Sequence, residues 1–483
     1  MTCALAFAAC SSSGPSLDEL NAVYADSDPS ADGTPASAPF EPGQRRDVGA
    51  AQSTFVLDEP NRYVETAIMP GDLDGDGVDD LVLAGWEGDP PTIVPCDGGC
   101  PGFSRAIVYV VYGKKHFDAT IHADAIITSW HVSGLRYAVH TAGDVDGDGH
   151  PDLLVSVGTE NCDQGDVYVV RGGARWSGAS DVRDMGSLVR DTGGCLQLGE
   201  ATGIGDVDGD GFADFAIAAP GNHRVYVYYG SKDAPPARRS EADAAASFHV
   251  SNAESIGRAV AAGDVDGDGR ADFILGDGAE KLWLVRGSAT RWSGDLDVAA
   301  NATQIGAARL APLGDLDGDG KGELAAIMSS GTRDAFVIAG RATWPSSLDP
   351  ATASAWVQRD ANIDPNAIAS ATRAGDVDGD GKPDFLYGDP SYAPNAAPRG
   401  AIYLFRGPTS LSTGGLPSSA ATAFLGQDWF AEIDGTHRGF DQLGQSIAAG
   451  SDIDGDGLDD FALVARVAPE GGRAYIWLGR GAK

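Results

Sequence analysis

The sequence predicts an all-β protein: a seven-bladed β-propeller of four-stranded antiparallel blades, its ring closed by an N-terminal strand. Three observations carry this. A ten-residue acidic segment recurs seven times, with starts separated by 72, 62, 58, 51, 61 and 76 residues. Every copy sits in the same order of short apolar and aromatic runs. The first and last copies are incomplete in complementary ways. A period of this length exceeds most solenoid repeats and suits a four-stranded blade with variable loops.

In each repeat a strand A precedes the acidic segment, as in Ile256–Ala262, and a strand B follows it. Strand B is a short apolar run, as in Leu81-Val82-Leu83, Leu153-Leu154-Val155, Phe215-Ala216-Ile217, Phe273-Ile274-Leu275 and Phe461-Ala462-Leu463. Runs this short read as buried strands rather than helices. Strand C alternates and is aromatic: Val108–Tyr112, Val167–Val170, Val225–Tyr229, Leu282–Val285, Ile402–Phe405 and Tyr475–Leu478, nearly all closed by glycine. Strand D is more variable, with Ser247–Val250 and Ala355–Val357 the clearer copies. The last repeat has A, B and C but no D, while a spare D-like run, Ser53–Leu57, precedes the first A. Pairing the two completes the seventh blade and removes both free sheet edges. On this reading, loss of residues 1–49 is neutral and loss of residues 1–58 bares an edge.

The acidic segment reads GDLDGDGVDD at Gly71–Asp80, GDVDGDGHPD at Gly143–Asp152, GDVDGDGFAD at Gly205–Asp214 and GDVDGDGRAD at Gly263–Asp272. It then reads GDLDGDGKGE at Gly314–Glu323, GDVDGDGKPD at Gly375–Asp384 and SDIDGDGLDD at Ser451–Asp460. With the first Asp as position 1, carboxylates fall at 1, 3, 5 and 9 and glycines at 4 and 6. Four carboxylates in nine residues repel one another unless a cation sits among them. An all-oxygen, flexible cage suits Ca²⁺ better than Mg²⁺, which demands a tight octahedron. The glycine at position 6 permits the sharp turn around the ion.

The candidate ligands of the first loop are Asp72, Asp74, Asp76 and Asp80; of the second, Asp144, Asp146, Asp148 and Asp152; of the third, Asp206, Asp208, Asp210 and Asp214. The fourth offers Asp264, Asp266, Asp268 and Asp272, and the fifth Asp315, Asp317, Asp319 and Glu323. The sixth offers Asp376, Asp378, Asp380 and Asp384, and the seventh Asp452, Asp454, Asp456 and Asp460. Position 7 adds only a backbone carbonyl, from Val78, His150, Phe212, Arg270, Lys321, Lys382 and Leu458 in turn. The expectation is up to seven Ca²⁺. The fifth loop, with Glu for Asp, a loosening Gly322 and the Lys321 charge, is expected to bind most weakly. The loop is not an EF-hand, because position 12 of the first copy is Leu83 within a strand rather than a bidentate Glu.

The chain has 483 residues and a net charge of −36; the loop ligands account for 28 of its 70 acidic side chains. Seven bound Ca²⁺ would leave about −22. A surface this acidic argues against nucleic acid and anionic membrane as partners. No apolar run approaches the ~20 residues of a membrane span. Residues 1–10 read as the tail of an export signal: Ala4–Ala9 is apolar, ends in small residues and precedes Cys10. This resembles a bacterial lipoprotein signal with Cys10 as the lipid-bearing residue, although Phe7 stands where Leu is usual and no basic segment precedes it. A chance apolar start is the alternative. Residues 11–49, rich in Ser, Pro, Asp and Ala, read as a disordered tether, and residues 50–483 as the propeller.

Three features together resemble the FG-GAP repeats of integrin α-chain propellers. An apolar residue and Gly precede the loop at Leu198-Gly199, Ile256-Gly257 and Leu443-Gly444; the DxDxDGxxD loop follows; and Ala218-Ala219-Pro220-Gly221 follows strand B. The resemblance covers roughly residues 50–483. It departs from the integrin pattern in carrying the calcium loop in all seven blades, and the other integrin domains are absent, so no heterodimeric receptor is implied. The nearer likeness is to bacterial secreted FG-GAP proteins. It implies a calcium-binding module for protein or glycan ligands, extracytoplasmic, either a cell-envelope lipoprotein or secreted, and a monomer.

If A–B loops lie on one face, C–D loops share it, and with them Arg175-Trp176-Ser177-Gly178, Arg291-Trp292-Ser293-Gly294 and Trp344. These read as a plug over the blade base, with sugar stacking as the alternative. The opposite face carries the insertions 85–105, 390–400 and 427–442, with Trp86, Tyr392, Trp429, Phe430 and Phe440. Long aromatic loops on a rigid scaffold are where binding usually lives, and shielding of the channel is the other reading. Setting aside Cys3 and Cys10, four cysteines allow three pairings, of which Cys96–Cys100 with Cys162–Cys195 fits the loop placement best. No HExxH, GxSxG or P-loop occurs, and the eight histidines are scattered. A propeller enzyme acting on polysaccharide, with catalytic groups from separate loops, is the competing class.

Overall fold

The computed structural model describes residues 39–40, 44–47, 50–57, 62–87, 105–129, 138–158, 165–192, 196, 198–233, 236–251, 256–276, 281–328, 333–353, 355–358, 370–390, 400–407, 414–417, 421–425, 432–433, 436–437, 443, 446–465 and 472–480. Six strand sets follow one another along the chain as blades, each antiparallel in the order A-B-C-D from the channel outward. Blade 1 is Arg62–Gly71, Asp80–Glu87, Arg105–Val111 and Ala125–Thr128. Blade 2 is Ala138–Gly143, Asp152–Gly158, Gly165–Val170 and Gly186–Arg190; blade 3 is Ala201–Gly205, Asp214–Ala219, Arg224–Tyr228 and Ala246–His249. Blade 4 is Arg258–Gly263, Asp272–Gly276, Lys281–Val285 and Thr303–Gly306; blade 5 is Arg309–Gly314, Glu323–Ile327, Arg333–Ile338 and Ala355–Gln358. Blade 6 is Ser370–Gly375, Asp384–Asp389, Ala401–Phe405 and Thr422–Leu425.

Blade 7 takes Ser446–Ser451, Asp460–Ala465 and Arg473–Trp477 from the end of the chain and its D strand, Ser53–Phe55, from the start. The closing pair is antiparallel, with Ser53 opposite Ile476, Thr54 opposite Tyr475 and Phe55 opposite Ala474. Phe55 is the residue that turns inward; it is buried and its ring lies 5.5 Å from that of Tyr109. The A strands neighbour one another around the whole ring and line a central channel.

The core lies between blades. One cluster joins Val82, Val108 and Val110 of blade 1 to Leu153, Val155 and Tyr168 of blade 2, and the pattern repeats around the ring. Both faces of strands B and C are therefore covered, which is why they read as continuous apolar runs. No helix among the described residues is long and apolar enough to cross a membrane.

Two features depart from the four-stranded expectation. Each sheet has a fifth, outermost strand, added parallel. On blades 1 to 5 it comes from the C–D connection of the next blade, as Gly178–Asp181 does on Ala125–Thr128 of blade 1. The outer edge is thus covered by backbone from the neighbouring repeat, and each blade is latched to the next. On blade 7 it is Thr120–Ile121, and on blade 6 it is Arg45–Asp47, within the stretch read as tether. Phe40 is also fully buried there, against Phe424, Phe461 and Trp477. Composition identified residues 11–49 as unable to form a core of their own. Phe40 is instead a single anchor in a pocket built by blades 6 and 7.

Trp86 is also placed differently from expectation. It lies in strand B of blade 1 and stacks on Tyr63 at 3.9 Å, so it is not on an insertion. Tyr392, Trp429, Phe430, Phe440, Gly444, all six cysteines and the signal-like segment lie outside the described residues.

Candidate metal centres

All seven acidic segments form the A–B turns of their blades, on one face of the ring. Each is wound by its own carboxylates. In the first, Asp72 Oδ1 accepts the N–H groups of Gly75 (2.7 Å) and Asp76 (3.1 Å), and its Oδ2 accepts that of Gly77 (2.9 Å). Asp76 Oδ1 accepts the N–H of Val78 at 3.1 Å. The glycines at positions 4 and 6 adopt positive φ, 80° and 89° for Gly75 and Gly77.

The carboxylates converge. Asp72, Asp74 and Asp80 place ligand oxygens within 4.8 Å of one another, as do Asp144, Asp146 and Asp152; Asp206, Asp208 and Asp210; Asp264, Asp266 and Asp272; and Asp315, Asp317 and Glu323. Two more such groups occur among the described residues. An all-oxygen, multiply anionic donor set fits a hard divalent cation.

Position 9 does more than the spacing shows. Asp80 is fully buried, its Oδ2 accepting the N–H of Leu73 at 2.8 Å and its Oδ1 that of Gly113 at 2.8 Å. Asp152, Asp214, Asp272, Glu323, Asp384 and Asp460 repeat the arrangement with the glycine that closes strand C, from Gly172 to Gly479. This carboxylate clips the loop to the end of strand C. It also explains the recurrent glycine, since a Cβ on Gly113 would lie 2.1 Å from the Asp79 carbonyl oxygen. Burial pushes these carboxyls up, helped by the loop's other aspartates and opposed by the two backbone bonds. The result is about 7 for Asp80, Asp214, Asp272, Asp384 and Glu323, about 6 for Asp152 and about 8 for Asp460. A cation among them would favour the charged form.

The loops are also stitched to one another. The N–H at position 8 donates to the position-1 carbonyl of the preceding loop: Asp79 to Asp452 (3.2 Å), Ala213 to Asp144 (2.8 Å), Ala271 to Asp206 (2.8 Å), Gly322 to Asp264 (2.7 Å) and Asp459 to Asp376 (3.1 Å). Position 7, expected to contribute backbone alone, uses its side chain as well. The His150 ring lies over Gly75 of the preceding loop, Phe212 over Gly147, Arg270 over Gly209, Lys321 over Gly267 and Val78 over Gly455. A Cβ on Gly75 would meet His150 Cε1 at 2.7 Å, so position 4 needs glycine for space as well as for φ.

Arg175 and Arg291 were placed on this face by the sequence, but their pairing with the loop carboxylates was not. Arg175 donates to Asp74 Oδ2 (2.5 Å) and Asp76 Oδ2 (3.1 Å) of the preceding blade, its guanidinium 4.2 Å from the Tyr112 ring centroid. Arg291 repeats this on Asp208 and Asp210, over Tyr229. Where the residue before the strand-C glycine is Arg instead of Tyr, that Arg serves its own loop: Arg171 on Asp146 (3.0 Å), Arg286 on Asp266 (3.9 Å) and Arg406 on Asp378 (2.8 Å). The available signal was the residue before that glycine: Tyr in blades 1 and 3, Arg in blades 2, 4 and 6. Trp176 and Trp292 pack into the blade cores and donate their backbone N–H to Tyr112 and Tyr229, and Trp344 is buried. The tryptophans thus pack inward, while Tyr112 and Tyr229 carry the arginines.

Seven blades built on these loops define the class: the chain is an FG-GAP-repeat, integrin α-like β-propeller. The FG-GAP-like repeat model matches residues 206–275, and the FG-GAP repeat model matches residues 136–170 and 369–405. Among curated proteins, integrin alpha-7 of Homo sapiens is 33% identical over 166 residues, 32% of this chain and 13% of that protein. Integrin alpha-V of Gallus gallus is 30% identical over 217 residues, 40% of this chain and 20% of that protein. The match thus spans a fifth or less of each relative. Among solved structures, BBS1N in complex with ARL6DN matches at 11% identity and a TM-score of 0.40, over 91% of this chain and 99% of that one. A protein of unknown function from Dyadobacter fermentans matches at 10% identity and a TM-score of 0.38, over 89% and 99%. The architecture rests on the strand pairing above, not on these two likenesses.

Proposed function

We propose that this propeller is a calcium-stabilised, extracytoplasmic binding or adhesion module that presents the face opposite the metal loops to a protein or glycan ligand. The observation that carries the reading is the set of seven oxygen-donor loops on one face, five of their junctions hydrogen-bonded, which commits that face to structure and leaves the other for recognition. The likeness to integrin α chains supports a protein ligand. Up to seven Ca²⁺ occupy the loops, and the protein is a monomer, secreted or held at the cell envelope through Cys10. Equilibrium calcium binding should reach up to seven ions per chain. Protein and glycan arrays probed with and without calcium test the rest. Capture that depends on calcium supports the module; no capture by either array in saturating calcium overturns it.

A further inference from the structure

The central channel carries an unexpected charge. In a chain of net charge −36, two arginines and a histidine line one cavity of about 310 Å³ inside the ring of A strands. Arg258 of blade 4 and Arg309 of blade 5 stand at the same register, six residues before the first loop Asp of each blade. Strand A runs toward the metal loops, so this register marks the channel mouth on the opposite face. His140 of blade 2 lines the same cavity one side-chain layer deeper. Blades 1 and 6 bring hydroxyls to the Arg register, from Thr66 and Ser370.

The cations are poorly matched by anions. Glu200 of blade 3 approaches Arg258 at 3.9 Å. The side chains of Arg309, half-buried, and His140 have no hydrogen bond or ion pair among the described residues; burial, with the Arg258 charge adding to it, lowers the pKa of both, His140 to about 4, so that it is a neutral imidazole. Arg258 is exposed at the mouth and Arg309 half-buried behind it, and two guanidinium charges side by side repel unless an anion accompanies them. Nothing in the ring's packing requires an Arg at this register, since the other blades place Thr66, Ala138, Glu200, Ser370 and Ser446 there. The volume is at the small end of the range for ligand pockets, about 300–1,000 Å³.

We infer that the mouth of the central channel is a binding site for a small oxyanion, held by Arg309 and Arg258 with His140 as a further donor. Guanidinium forks suit carboxylate and sulfate geometry, and the half-buried position of Arg309 strengthens the pairing there. The site stands or falls independently of the ligand face proposed above.

The test is calorimetric titration of the calcium-loaded full chain with sulfate and succinate, which leave calcium in place, and with neutral succinamide. Both oxyanions are expected to bind and succinamide is not; binding by sulfate alone narrows the site to inorganic oxyanions. Arg309→Met should weaken binding at least tenfold while leaving the melting temperature of the ligand-free protein unchanged or higher. Arg309→Lys should keep part of the affinity. Arg224→Met, which breaks the Arg224–Asp295 pair away from the cavity, should bind as the parent does. No oxyanion binding at millimolar concentration, undiminished binding by Arg309→Met, or equal loss in Arg224→Met would each overturn the inference.

Discussion

Replacing Phe40 by Ala is expected to cost about 3–5 kcal/mol, the range for truncating a fully buried Phe. Its ring centroid lies 5.8 Å from Phe424, 5.7 Å from Phe461 and 6.5 Å from Trp477, with the Arg46 guanidinium 4.8 Å above it. The surrounding side chains belong to two sheets and cannot collapse into the space without moving a blade. A ceiling applies: the loss cannot exceed the free energy that docks Phe40 and the strand Arg45–Asp47. If the segment lets go, Phe40→Ala and removal of residues 1–49 converge on one value. The assay is urea unfolding in saturating calcium, followed by tryptophan fluorescence, on the full chain, Phe40→Ala and chains lacking residues 1–38, 1–49 and 1–58. The first truncation should match the full chain, and the second should be less stable, contrary to the neutral loss the sequence reading expects. The third should fall further and aggregate, because strand Arg473–Trp477 loses its partner Ser53–Phe55. If Phe40→Ala and the chain lacking 1–49 unfold with the chain lacking 1–38, the N-terminal strand contributes nothing and the reasoning fails.

Excess chelator should lower the melting temperature sharply, since each site contributes about 2.7 kcal/mol at a hundredfold excess of calcium over Kd; an unchanged value after verified metal removal refutes this. Metal-free protein should lose stability as pH rises from about 4 to about 8. The position-9 carboxyls, raised to about 6–8, hold their protons more tightly folded than unfolded, so their contribution is present at low pH and lost through that window. Calcium affinity should rise over the same window, and Asp460→Asn should flatten both slopes. The fifth loop, where Lys321 Nζ lies 2.9 Å from Asp319 Oδ2, should fill last in a crystal titration, and Lys321→Ala should tighten it. Gly75→Ala should cost about 1–2 kcal/mol from its left-handed backbone alone plus the contact with His150; His150→Ala should recover only the contact part, read by a double-mutant cycle.

The loops, strands B and C, and the closing strand Ser53–Phe55 were legible in the sequence because each is a local pattern. Ligand spacing, an apolar run covered on both faces and an unpaired strand can all be read within a few residues. Trp86 was misplaced because strand B of blade 1 outruns its copies, and a strand end set by pairing to Tyr63 has no signal of its own. The fifth strands were hidden for the same reason: Gly178–Asp181 and Arg45–Asp47 have little apolar character, and their order comes from the edge they cover. Phe40, one aromatic in a polar stretch, becomes core only where two blades meet around it. The side chain at position 7, the clip at position 9 and the arginines over the loops all act between repeats or across a blade, at distances that periodicity cannot measure. The channel cations are the extreme case. Arg258 and Arg309 are unremarkable as the first residues of two strands, and only the packing of blade 4 on blade 5 sets them together, with His140 of blade 2 brought to the same cavity across the ring.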